Sequence, residues 1–78
     1  MFVTITKPDG LVYQGEVQLV QLPGVGGLFE IMDHHAPIVS ALNKGNIRIV
    51  VNDSDTQNFN VRGGVIQFQH PKLEILAQ

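Results

Sequence analysis

The chain contains no cysteine, which removes disulfides, thiolate nucleophiles and sulfur ligands for a metal, and leaves the redox compartment unreadable. Positive charge is scarce: only Lys7, Lys44, Arg48, Arg62 and Lys72 carry it, scattered along the sequence, and the formal net charge is −2. Nucleic-acid binders gain affinity by neutralising phosphates with clustered cations, so general nucleic-acid binding is not expected. Aromatic residues stand only at Phe2, Tyr13, Phe29, Phe59 and Phe68, a thin supply for base stacking. No apolar run approaches the roughly 20 residues that span a bilayer. The amino terminus also lacks a basic-then-apolar signal. The expected location is the cytosol, with at most peripheral attachment to a membrane.

What is present suits one small domain over residues 1–78. A 44% hydrophobic content supports a packed core and argues against disorder. A chain of this length buries about 60–65% of its unfolded surface, enough to fold with little margin. The patterning is almost entirely β. Phe2–Thr6 is rich in β-branched and aromatic residues, and Pro8-Asp9-Gly10 is a turn. Leu11 to Leu22 reads as one long strand whose alternation changes phase: Val17 and Leu19 share one face, Val20 and Leu22 the other. A period of two cannot absorb that switch without a bulge, a bend or a crossing between sheets. Ile47, Ile49 and Val51 alternate in a further strand, as do Phe59 and Val61, with Asn52–Asp55 as a polar tip between them. Val65–Gln69 and Leu73–Ala77 complete the set, and His34–Leu42 reads as extended. Strands this regular predict a sandwich or barrel. Val17, Leu19, Ile47, Ile49, Phe59, Val61 and Ile75 are the expected core, and Phe59→Ala is expected to cost about 3–5 kcal/mol.

The richest stretch is Leu22–Pro37, LPGVGGLFEIMDHHAP. Its glycines allow a shaped hairpin, but no lysine follows the Gly24–Gly27 run and a strand comes next, so it is no phosphate cradle. His34 and His35 are adjacent and in extended chain point to opposite sides, a poor start for a metal site with His70. Asp33, His35 and Ser40 can be written as a triad, yet nothing marks a nucleophile elbow or oxyanion hole. Neither a metal nor another cofactor is expected. Gly63-Gly64 reads as a tight bend between strands. Leu28, Phe29, Ile31 and Met32 place apolar residues on both faces of a short strand, which is either doubly buried or turned toward a partner.

This stretch resembles the epsilon subunit of the rotary F-type ATP synthases. Leu22-Pro23-Gly24, Gly27, Phe29 and His35-Ala36-Pro37 carry the likeness. It continues upstream in Pro8, Gly10, Tyr13, Gly15, Glu16 and Val17. Downstream it runs through Leu42, Gly45, Arg48 and Ile49, then Phe59, Val61, Gly63 and Gly64, and finally Ile75-Leu76-Ala77. The resemblance implies an all-β fold of two antiparallel sheets packed as a sandwich. It implies a non-catalytic rotor component at the foot of the central stalk, docked on the gamma subunit and the ring of c subunits. There it would help couple proton flow to ATP synthesis, peripheral to the cytoplasmic face of a bacterial plasma membrane or its equivalent. The hairpin Gly26–His35 would face the ring, with Leu28, Phe29, Glu30, Met32, Asp33 and His35 as interface residues and Arg48 as a secondary cation. Relatives often carry an acid at the position of Leu28, so Glu30 and Asp33 are expected to take over its pairing. The family's helical hairpin, seat of autoinhibition and in some members of ATP binding, lies beyond the resembling residues, so no nucleotide binding is expected of these. Two rivals are a free-standing binding module using the Leu28–Met32 edge and a small metal-dependent hydrolase built on His34, His35 and His70.

Overall fold

A computed structural model describes all residues from Met1 to Gln78. Nine strands form in chain order: β1 (Phe2–Lys7), β2 (Gly10–Glu16), β3 (Leu19–Gly24), β4 (Gly27–Ile31), β5 (Ile38–Leu42), β6 (Gly45–Asn52), β7 (Asp55–Val61), β8 (Gly64–Gln69) and β9 (Lys72–Ala77). Hydrogen bonds link them into one curled sheet in the order β2-β1-β9-β8-β5-β3-β6-β7, with β4 paired to β3.

The all-β expectation holds, but two separate antiparallel sheets are not what the ladder shows. β1 and β9 run parallel, Phe2 opposite Lys72 and Thr6 opposite Leu76. The two halves of the sheet are also joined, though by a single rung where Gly24 of β3 meets Leu42 of β5. One core lies between the halves: Val3, Ile5, Ile66, Phe68, Leu73 and Ile75 from one side, Val20, Leu22, Ile31, Ile47 and Ile49 from the other. Strict alternation feeds it, as in β9, where Leu73, Ile75 and Ala77 are buried and Lys72, Glu74 and Leu76 are exposed.

The predicted phase switch is where the chain changes halves. The long Leu11–Leu22 strand is broken at Val17 and Gln18 into β2, which pairs with β1, and β3, which pairs with β6. The Val17 amide donates to the Met1 carbonyl at 2.9 Å, and the next amide, of Gln18, donates to the Val50 carbonyl at 2.8 Å. Two successive residues thus belong to opposite sides of the core. β1 and β2 also carry a bulge, since Ile5 faces Tyr13 while Thr6 faces Leu11. That leaves Val12 without a partner and exposed.

Two glycines are set by close approach. A Cβ on Gly24 would stand 2.7 Å from the Phe29 ring and 2.8 Å from the Gly27 carbonyl oxygen, so the β3–β4 hairpin can close only over glycine. At Gly64, where φ is 152°, a Cβ would strike the Leu76 carbonyl oxygen. The expected bend at Gly63-Gly64 is therefore a contact point between β8 and β9 as well.

Of the expected core residues, Val17, Ile47, Ile49, Val61 and Ile75 are buried. Leu19 is half-buried, and so is Phe59, which packs on the core edge against Tyr13 with ring centroids 5.7 Å apart. Phe68, absent from that expectation, is the largest side chain in the fully buried set. Phe68→Ala should cost about 3–5 kcal/mol and Phe59→Ala about half of that, because only part of its surface leaves water on folding. Against a total of about 5 kcal/mol, chemical denaturation should find the Phe68 variant near unfolding and the Phe59 variant folded. Equal losses would show the burial ranking to be wrong.

Candidate partner interface

Alternation sorts the hairpin residues. In β4, Phe29 and Ile31 turn inward, Ile31 fully buried, while Leu28 and Glu30 look out, Leu28 with 68% of its surface exposed, and Met32 just past the strand is exposed as well. The puzzle of an apolar residue on both faces thus has a physical answer: one face feeds the core and the other is open. Register carries the outward row onward. Glu30 sits opposite Gln21, Gln21 opposite Arg48, and Arg48 opposite Asn58, across β4, β3, β6 and β7. The Gln21 amide nitrogen donates to Glu30 at 3.5 Å. Leu28, Glu30, Met32 and Arg48 are therefore gathered on one outer face, and Phe29 lies beneath it against Gly24.

Asp33 and His35 leave that face. The Met1 ammonium, its side chain buried, stands 2.7 Å from Asp33 Oδ1, 3.4 Å from Glu16 and 3.1 Å from the Val17 carbonyl oxygen it donates to. Burial would push this ammonium down, but the hydrogen bond and charge of Asp33, followed by those of Glu16, outweigh it and hold the group above its ordinary 8.0. The same hydrogen bond, helped by the ammonium charge and by His70 and His34, holds the Asp33 carboxyl below its ordinary 3.8. His35 is half-buried, its Nδ1 2.7 Å from the Ala36 carbonyl oxygen and its ring edge-on to Phe68 at 6.2 Å between centroids. Within the HHAP corner His35 thus packs against the core, while His34, Ala36 and Pro37 stay exposed.

The triad does not assemble: Asp33 is engaged by Met1, and the Ser40 hydroxyl donates to the Ala41 carbonyl at 3.3 Å. No three His, Cys, Asp or Glu side chains lie together in a way that could hold a metal ion.

A second surface lies on the other side of the core, and sequence reasoning missed it. Across β5, β8, β9, β1 and β2 the outward row runs Ala41, Val65, Leu76, Thr6, Leu11. Val39 adjoins it two residues along β5. Val39 is 75% exposed, Leu76 57% and Val65 47%. The signal was available in Val39, Val65 and Leu76, which stand out of phase with Ile38, Ile66 and Ile75 inside strands that already have an apolar face.

Comparison with known proteins bears on this arrangement. The ATP synthase delta/epsilon chain β-sandwich domain matches residues 1–78. The chain belongs to this family. An ATP synthase epsilon chain of Chlorobium limicola is 36% identical over 74 residues, which cover 95% of this chain and 84% of that one. The epsilon chain of Bordetella parapertussis is 30% identical over 77 residues, 99% of this chain and 55% of its own length. The delta/epsilon-family chain described here therefore spans most of the former and about half of the latter. Its fold is shared with a chain of the Tetrahymena thermophila mitochondrial ATP synthase, solved as central stalk and c-ring. That match has TM-score 0.84 and 15% identity, over 100% of this chain and 63% of that one. The fold recurs in the Euglena gracilis mitochondrial ATP synthase, with TM-score 0.89 and 17% identity over 96% and 48%. The expectation of a non-catalytic, epsilon-type subunit agrees with these relatives.

The Met1 cluster predicts a pH window. Stability from Asp33 is present above the ordinary carboxylate value and lost as pH falls through its depressed one. Stability from Met1 is complete below its ordinary value and lost as pH rises through the raised one. Thermal unfolding of the natural chain and Asp33→Asn should therefore differ most between about pH 4 and pH 8 and converge outside it. A gap that does not narrow as pH is raised stepwise above 8.0, or lowered stepwise below 3.8, would remove the ion pair from the account.

Proposed function

We propose that this chain is a rotor component of a proton-translocating ATP synthase, seated at the foot of the central stalk between the gamma subunit and the c-ring. The observation that carries the reading is the pair of open surfaces on opposite sides of one packed core. A body that passes torque between two others needs two fixed contacts and little give between them. The interdigitated core between the two halves supplies that stiffness.

The β4 face meets the polar loops of the ring. Leu28 and Met32 supply apolar area, and Glu30 and Arg48 pair with charged or polar groups. Phe29 stiffens the hairpin from below, while Asp33 and His35 fix its far end. An exposed ion pair is worth about 0.2–1 kcal/mol, so no single one holds the contact. The apolar row of Val39, Val65 and Leu76 meets the gamma subunit, where burial of apolar area contributes about 25 cal/mol per Å². Through these contacts the chain is peripheral to the membrane, on the side of the catalytic head. Family membership and the relatives' names support the assembly; the residue assignments rest on exposure and register.

The second reading, a free-standing module that accepts a partner strand, draws on β4 having only β3 as a ladder partner. Expression in the assembled enzyme separates the two. Val39→Asp with Leu76→Asp should release the chain from gamma in co-purification. Leu28→Lys with Glu30→Lys should leave gamma binding intact and lower ATP-driven proton pumping severalfold. Because both pairs are solvent-exposed, Tm of the isolated chain should stay within a few degrees of the natural one. Unchanged co-purification and pumping in both pairs would overturn the rotor assignment. Retention of a partner that is lost only with the Leu28 pair would favour strand addition.

A further inference from the structure

The fold gathers at one end what the sequence scatters. Lys7 closes β1, Lys44 precedes β6 and Arg62 follows β7, and all three line one open hollow together with Asn46, Asn60 and Gln78. These are three of the five cations of an acidic chain, and none of its seven acidic side chains lines the hollow. Register puts Glu16, Asp33 and Asp53 at the opposite end, where β2, β4 and β6 finish.

The hollow is built across the two halves of the sheet. Lys7 Nζ donates to the Asn60 carbonyl at 2.9 Å, tying β1 to β7. The Arg62 amide donates to the Gln78 carbonyl at 2.6 Å, and the Gln78 amide to the Gly63 carbonyl at 3.0 Å. Lys44 and Arg62 themselves enter no ion pair, the only two in the chain being those of Met1. Like charges brought together with no acidic side chain among them repel, and a multiply charged anion relieves that repulsion.

We propose that this hollow binds a phosphate-bearing anion. Ammonium and guanidinium groups offer N–H donors alone, and the carboxamides add N–H donors beside them, which suits the acceptor-only oxygens of a phosphate. No aromatic residue lines the hollow, so a nucleobase has nothing to stack on and the phosphate itself is the recognised group. Its source is either a soluble oligophosphate or the headgroup of an anionic lipid. This site is independent of what meets the two outer faces.

The test follows backbone amide shifts of the full chain during titration with tripolyphosphate, against sodium chloride of equal ionic strength. Saturable shifts should cluster at Lys7, Gly45, Val61 and Arg62. Lys44→Gln with Arg62→Gln, neither of which removes a bond within the fold, should weaken binding about tenfold or more, one charged contact being worth that much. Lys72→Gln with Gln69→Glu shifts net charge by as much elsewhere and should leave affinity within about twofold. ATP binding no tighter than tripolyphosphate supports recognition of phosphate alone. Co-sedimentation with phosphatidylglycerol vesicles but not phosphatidylcholine vesicles, lost in the Lys44/Arg62 variant, would identify the lipid source; tripolyphosphate binding without vesicle binding identifies the soluble one. Shifts that match those of chloride, or an equal loss in both double variants, would overturn the site.

Discussion

Strand β3 is the joint on which the rest of the molecule depends. It pairs with β4 along one edge and with β6 and β5 along the other, and it sends Val20 and Leu22 into the centre of the core. Only at Gly24 does it meet β5, and the Asn43 amide donating to the Pro23 carbonyl at 2.8 Å seals that corner. Pro23 also packs so close to Gly45 that a Cβ there would stand 2.7 Å from its own. The LPG motif is thus a steric device: proline limits one chain, glycine admits the other, and the sheet turns over at that point.

Much of this was legible because most strands bury one face. Alternation in Ile47–Val51 and Leu73–Ala77 marks the inward side directly, and turns at Pro8-Asp9, Asp53-Ser54 and His70-Pro71 fall between strands as composition suggests. The phase change near Val17 gave the crossing. The parallel pairing of β1 with β9 was not legible, since it joins the two termini and leaves no local pattern. Phe68 was missed because its strand, with Val65 and Ile66 adjacent, has apolar residues in both phases. The opposite error occurred at Phe59: its alternation is sound, but β7 is an edge strand, where the inward side meets less cover.

The candidate surface was legible in part for the same reason. Leu28 and Met32 stand out against an inward Phe29 and Ile31, so the outward row is visible from the hairpin alone. The Val39, Val65 and Leu76 row needs three strands in register, which only the folded sheet supplies. Arg48 joins Glu30 by the same lateral route, eighteen residues away in sequence and two strands away in space. The proposed contacts lie on faces assembled laterally, and lateral neighbours are what a one-dimensional reading lacks.

One practical consequence concerns the amino terminus. The buried Met1 nitrogen carries its charge only as a primary amine, and acylation or fusion to a preceding peptide turns it into a neutral amide. An affinity handle placed ahead of Met1 would therefore leave the Asp33 and Glu16 carboxylates facing each other without their shared cation, and push bulk into a site closed by the Val17 carbonyl.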